Sequence, residues 1–270
     1  MRTRIIQPPP VLRNLIRYFW TLELPALPKG HFTIRTFSDD SSGIIFHQSH
    51  GSALLQESGN VIPQSMIYGI ATTPSVTHVR APFTAIGALF QPHALRSVTG
   101  VDAHYLTDRI YPIREFSKRF DFTEQILNEP DIHKQLAIIT CFLQRNAATK
   151  YVPDLMVVGA IELMQSFQSR KVRELTKYFK ISERQLERRF ITSTGITPSH
   201  YLRTIRLQQT IGLMRAGKFD KFADLAHHLE FTDQPHFNRL VRELSGMSPR
   251  KLQSSLQDEI INLLIEESQN

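Results

Sequence analysis

The stretch from Arg173 to Leu252 carries one pattern written twice. Its first copy reads VRELTKYFKISERQLERRFITSTGITPSHYL and its second FADLAHHLEFTDQPHFNRLVRELSGMSPRKL. In each, a helical segment with Leu and Phe on one side meets a short break. A polar cap follows, then a second helix with an Arg two residues beyond its apolar anchor, then a Gly and a Pro. Two helix-turn-helix units in tandem within a basic segment are suited to lie along a duplex.

In the first copy Leu175 and Phe179 share a helix face, four residues apart. Ser182 supplies an N-cap and Gln185 stands three residues later, a capping-box spacing. The helix that follows is expected to run to about Thr194, with Leu186 and Phe190 inward. That leaves Glu183, Arg184, Glu187 and Arg188 outward near the helix start, where a recognition helix reaches base edges. Arg189 lies off that face and is expected to meet a phosphate. In the second copy Leu225, Leu229, Phe237 and Val241 take the apolar places, and Asp233 is the cap after one extra turn residue. Its outward face holds Gln234, Pro235, Asn238 and Arg239, with Arg239 in the place of Arg188. The candidate DNA-binding residues are therefore Arg184, Gln185, Glu187, Arg188, Arg189, Gln234, Pro235, Asn238 and Arg239. Between the copies a long helix opens at Pro198 and closes at Gly217.

Charge gathers on this repeat. Lys plus Arg against Asp plus Glu is 15 to 12 in residues 1–154, 17 to 9 in 155–255, and 0 to 4 in 256–270. The net +7 thus sits where phosphates would need it. A solvated basic surface would give the same count, so the paired motifs, not the charge, carry the reading.

The segment from about 155 to 255 resembles the DNA-binding domain of the AraC/XylS transcriptional regulators. The likeness rests on ISERQLERRFITSTGITPSHYLRTIRL and LAHHLEFTDQPHFNRLVRELSGMSP. It implies a seven-helix domain whose recognition helices enter successive major-groove segments, about 34 Å apart. It implies a transcription regulator, more often an activator, with double-stranded DNA and RNA polymerase as partners. Members usually have Gly in each interhelical turn, where this chain has Lys180 and Glu230. If those positions need positive φ, each residue costs stability. The upstream run IGALFQPHALRSVTGV resembles the amino-terminal domain of one branch of the family.

The first half reads differently. Residues 10–24 suggest a short helix running into a strand, with Trp20 in the core. FTIRTF, GIIFHQS, SMIYGI, VTHVR and TAIGALF are short β-type runs separated by turn material such as SDDSSG. They suggest a small antiparallel sandwich or barrel. A helical period follows from about Pro112 to Thr149, with Leu127, Ile132, Leu136, Ile139 and Leu143 on its apolar side. The expected fold is α+β in two domains: residues 1–150 β-rich with a helical end, and residues 151–270 all-α. The division is expected near Asn146–Asp154, and the tail QDEIINLLIEESQN as an acidic amphipathic helix. The first domain is expected to sense a small molecule, or to pair two copies through its helical end.

Other classes find little support. The single cysteine, Cys141, allows no disulfide framework or thiolate cluster and is read as a small buried hydrophobe. His47 and His50 are three apart, on opposite faces of a strand, and neither they nor His31 and His78 have a carboxylate in ligand spacing. His227 and His228 are adjacent in a helix and are expected at the surface. No metal or cofactor is expected. No Gly-rich phosphate loop, nucleophile elbow or HExxH occurs, so no enzyme is expected. The rival reading is an architectural nucleic-acid binder with little sequence preference. Without a secretory leader or an 18-residue apolar run, a cytoplasmic chain is expected.

Overall fold

The apolar runs of the first half form two stacked antiparallel sheets in the computed structural model. The structure describes every residue except 28–30, 50–53, 57–58, 60, 81, 117–121, 148–151, 167, 169–170, 218, 257–262 and 269–270. Strands β1 (Arg2–Ile6), β2 (Ile16–Leu24), β3 (His31–Thr36), β4 (Gly43–Ser49), β5 (Leu55–Gln56), β6 (Ser65–Tyr68), β7 (Ser75–Val79), β8 (Phe83–Phe90) and β9 (Ile110–Pro112) come in chain order. One sheet runs β1-β2-β8-β4-β6-β9 and the other contains β3-β7-β5.

β2 and β8 read as nearly continuous apolar runs because both of their faces are covered. Phe19, Ile86, Ala88 and Phe90 point to a layer with Leu95 and Val98 of α1 (Leu95–Thr99), Ile126 of α2 (Thr123–Leu127) and Ile139, Phe142 and Leu143 of α3 (Ile132–Ala147). Tyr18, Trp20, Leu22, Ala85 and Leu89 point the other way, to Phe32 and Val79 of the second sheet. Trp20 is in the core as expected, and Gly87 opposite it has no Cβ because one there would meet the indole at 2.7 Å. On α3 the inward positions Ile139, Phe142 and Leu143 leave Cys141 on the outer side, so the expectation of a buried cysteine is corrected: its thiol is exposed.

The second half folds into seven helices among the described residues: α4 (Leu155–Gln165), α5 (Val172–Phe179), α6 (Glu183–Thr194), α7 (Pro198–Arg215), α8 (Phe222–His228), α9 (Gln234–Ser245) and α10 (Pro249–Ser255). Two cores sit along α7. One gathers Leu175, Leu186, Phe190, Tyr201 and Ile205. The other gathers Leu207, Ile211, Leu225, Phe237, Val241 and Leu252.

The tail corrects another expectation. Leu263–Ser268 is a strand, β10, and not a helix; residues 257–262 of the same run lie outside the described residues. β10 pairs antiparallel with β3 and completes a four-stranded sheet β10-β3-β7-β5. Left bare, β3 would offer a row of unpaired N–H and C=O groups, and covering that edge outweighs a weak local helical pattern. Alternation then sends Leu264 to the core of the second helix pair and Ile265 to the layer between the sheets. β10 therefore returns to the sheets of the first half, across a junction of which residues 148–151 lie outside the described residues.

Candidate nucleic-acid interface

Each helix pair is held by the same local devices. α5 opens with the Lys171 N–H bonded to Glu174 Oε2, and α8 with the Lys221 N–H bonded to Asp224 Oδ2. At the end of α5 the N–H of Ile181 bonds to the carbonyl of Thr176 and that of Lys180 to Lys177. At the end of α8 the N–H of Phe231 bonds to Ala226 and that of Glu230 to His227. These paired bonds make a Schellman end in both turns, with an apolar residue just beyond. Lys180 has φ 52° and Glu230 φ 56°, the left-handed conformation that glycine adopts without strain. The turn geometry is kept although glycine is absent, at a cost of about 1–2 kcal/mol per position.

The recognition helices are set just as regularly. Ser182 Oγ accepts from the Gln185 N–H, and Gln185 Oε1 accepts from the Ser182 N–H at 3.0 Å. Asp233 Oδ1 accepts from the His236 N–H at 2.7 Å. At the far ends, Gly195 (φ 91°) and Gly246 (φ 73°) stop α6 and α9. Thr194 and Ser245 donate to Phe190 and Val241 carbonyls and accept from Ile196 and Met247 N–H groups. Thr197 and Ser248 then cap the helices that begin at Pro198 and Pro249.

These devices leave two outward faces. Arg184, Glu187 and Arg188 are exposed on α6 and line one open concavity with Ser182, Gln185 and Ile191. Gln234, Pro235 and Arg239 are exposed on α9, and Asn238 is half-buried beside them. Two of the candidate DNA-binding residues also make contacts within the protein. Gln185 spends its amide oxygen on the capping box, as its spacing suggested. Arg189, expected on a phosphate, makes two bonds of 2.7 and 2.6 Å to Asp154, the N-cap of α4. Burial alone would push the Asp154 carboxyl up, but the bonds from Arg189, Val157 and Met156 outweigh it and hold it below the usual range. Arg189 thus braces α6 against α4. His227 and His228 are exposed, as expected. His31 and His78 stack edge to face with centroids 4.9 Å apart. His47 is buried on Pro63, and His50 lies outside the described residues. No cluster of three potential metal ligands occurs among the described residues, and no described helix is long and apolar enough to cross a membrane.

Residues 175–255 match a family described as a helix-turn-helix domain, and residues 4–112 match a domain of unknown function (DUF6597). The HTH-type transcriptional activator RhaS of Escherichia coli O157:H7 (strain EC4115 / EHEC) is 36% identical over 74 residues, 27% of this chain and 26% of that protein. This chain carries a helix-turn-helix domain and is similar to RhaS over part of its length. The match spans about a quarter of the length of RhaS. Among solved structures, ToxT from Vibrio cholerae aligns over 89% of this chain and 99% of its own, at 13% identity and a TM-score of 0.48. A transcriptional regulator with an AraC-type domain from Chromobacterium violaceum aligns over 38% of this chain and 95% of its own, at 24% identity and a TM-score of 0.35.

One contact of the helix-turn-helix domain was not legible beforehand. The loop SDDSSG, read as turn material, is fully buried against it. Asp40 of that loop meets Arg17, which is 23 residues away, and Tyr201, which is 161 away. No local pattern announces partners at such separations.

Proposed function

We propose that this chain is a sequence-specific transcription regulator that lays α6 and α9 into neighbouring major-groove segments of one duplex. The observation that carries it is the pair of equivalent, capped helix starts with outward polar faces, one on each side of α7. Arg184 and Arg188 are four apart on α6 and suit the O6 and N7 acceptors of guanine, about 1–3 kcal/mol of discrimination per good pair. Glu187 suits a cytosine amino group or steers Arg184. On α9, Gln234 and Asn238 suit adenine edges, Pro235 a thymine methyl, and Arg239 a guanine. The preferred site is therefore bipartite, richer in G and C under α6 and in A and T under α9.

The relative named as a transcriptional activator supports activation, and an activator of this kind takes RNA polymerase as its partner. The amino-terminal domain senses a small molecule or pairs two copies. Selection of bound duplexes from a random pool tests the main reading: two spaced, reproducible half-motifs are expected. Binding should fall steeply with salt as counterions are released. Uniform recovery of all sequences would replace the regulator with an architectural binder. For the first domain, the outer side of α3 carries the chain's one cysteine, so oxidative cross-linking through Cys141 is expected if α3 pairs two copies. Shifts in melting temperature with small molecules are expected if the domain senses them.

A further inference from the structure

Loops normally stay at the surface, since buried backbone groups need partners. The segment from Phe37 to Ser42, between β3 and β4, does the opposite, with all six residues buried. Its backbone is satisfied from both domains: the Ser38 N–H donates to the carbonyl of Leu244 in α9, and the Asp39 N–H to that of Ala71. Phe37 lies in the core of the second helix pair.

Asp40 stands at the centre. Arg17 of β2 grips both carboxylate oxygens, at 3.1 and 2.9 Å. Tyr201 Oη donates to Oδ2 at 2.9 Å, and Gln208 Nε2 donates to Oδ1 at 2.8 Å. Gln165 of α4 donates to Tyr201 Oη at 2.9 Å and approaches Oδ2 at 3.4 Å. Tyr201 and Gln208 are seven apart on α7, so they share one helix face. Tyr201 belongs to the core under α6 and stacks edge to face on Phe190. Gln208 follows Leu207, which belongs to the core under α9. The carboxylate therefore holds the spacer helix at the two points where the helix pairs join it. Burial alone would push the Asp40 carboxyl up, but Arg17 and the bonds from Gln208 and Tyr201 keep it ionised.

We infer that Asp40 is a positioning residue for DNA recognition: by gripping α7 at Tyr201 and Gln208, the amino-terminal domain sets the separation and tilt of α6 relative to α9. This rests on the reading of both helices as DNA readers. A duplex has about 10–10.5 base pairs per turn, so a small change in tilt between two rigid probes changes the half-site spacing they accept.

The test uses the full chain with Cys141→Ser and spin labels placed at exposed Glu183 and Gln234, the first residues of α6 and α9. The parent should give one narrow distance distribution. Asp40→Asn and Tyr201→Phe should each broaden or shift it. Tyr201→Phe keeps the ring on Phe190 and removes only the hydroxyl, so it decides the matter if Asp40→Asn does not fold. On the selected duplex, inserting one base pair between half-sites should weaken the parent about tenfold or more, the scale of a mismatched base, and weaken the variants much less. An unchanged distance distribution in Tyr201→Phe, or an unchanged insertion penalty, overturns the inference. If the parent selects no bipartite site, the DNA reading fails, while the label distances still report whether Asp40 holds the two helices.

Discussion

The first helix pair takes Ile70 from the amino-terminal domain into its core, whereas the second takes Phe37 from the buried loop and Leu264 from the tail strand. The two are otherwise near copies: the same opening bond at Lys171 and Lys221, the same Schellman turn, the same Thr or Ser before Gly at the far end. The first also has a brace that the second lacks a counterpart for in sequence, Arg189 on Asp154. Repetition therefore preserved what each unit needs within a few residues of itself. The closing of each core was left to whatever neighbour the fold brought near. A fully buried Ile, Leu or Phe contributes about 1.5–3 kcal/mol, so the borrowed side chains matter beside a marginal stability.

The sharpest way to break this comparison is to remove the borrowed groups one at a time. Phe37→Ala should cost about 3–5 kcal/mol and Ile70→Ala about 2–5 kcal/mol. Amide exchange should then quicken in α8–α10 for the first variant and in α4–α6 for the second. Equal loosening of both units by either change would mean that the helices form one cooperative block.

Next in size are the readers. Arg188→Ala and Arg239→Ala should each lose about 1–3 kcal/mol of discrimination, at different half-sites. Selected-site profiles check this, and equal losses on every sequence would reduce both arginines to phosphate contacts.

The turns give a smaller effect of opposite sign. Lys180→Gly should stabilise the first pair by about 0.5–1 kcal/mol, since relief of left-handed strain exceeds the added freedom of the unfolded chain. Thermal unfolding measures it, and a loss would show that the Lys180 side chain contributes more than its backbone costs.

The smallest effect separates the sheets from both helix pairs. Burial holds His47 below the ordinary histidine value of 6.5, against the bond to Pro63 that favours the charged ring. Its Nε2 lies 2.9 Å from the Pro63 carbonyl and its buried Nδ1 has no partner among the described residues, an arrangement that favours the neutral ring. A depressed folded value means that its stabilisation is complete above about 6.5 and is lost as pH falls below that. His47→Phe should flatten the acid limb of the stability profile, read by amide exchange in β4. An unchanged limb would assign the acid loss to other groups.

Much of the carboxy-terminal half was legible because its determinants are local. Ser182 with Gln185, Asp233, Pro198 and the glycines at 195 and 246 act within one helix turn, and the helices end where those residues stand. The β-runs were legible from their residue types, and β4 spans the same residues as the run GIIFHQS. What escaped was set by distant partners. Arg189 looked outward until Asp154 met it, and Cys141 was misplaced because an apolar run does not say which side of α3 faces the sheet.

The sequence by itself determined two capped helix pairs with outward Arg, Glu, Gln and Asn, because hydrogen bonds and helix period operate over three to five residues. Only the tertiary structure decided that the tail is a strand, since an open sheet edge was there to receive it. Likewise it alone decided that a polar loop is buried, because Asp40 can leave water only where Arg17, Tyr201 and Gln208 converge on its carboxylate.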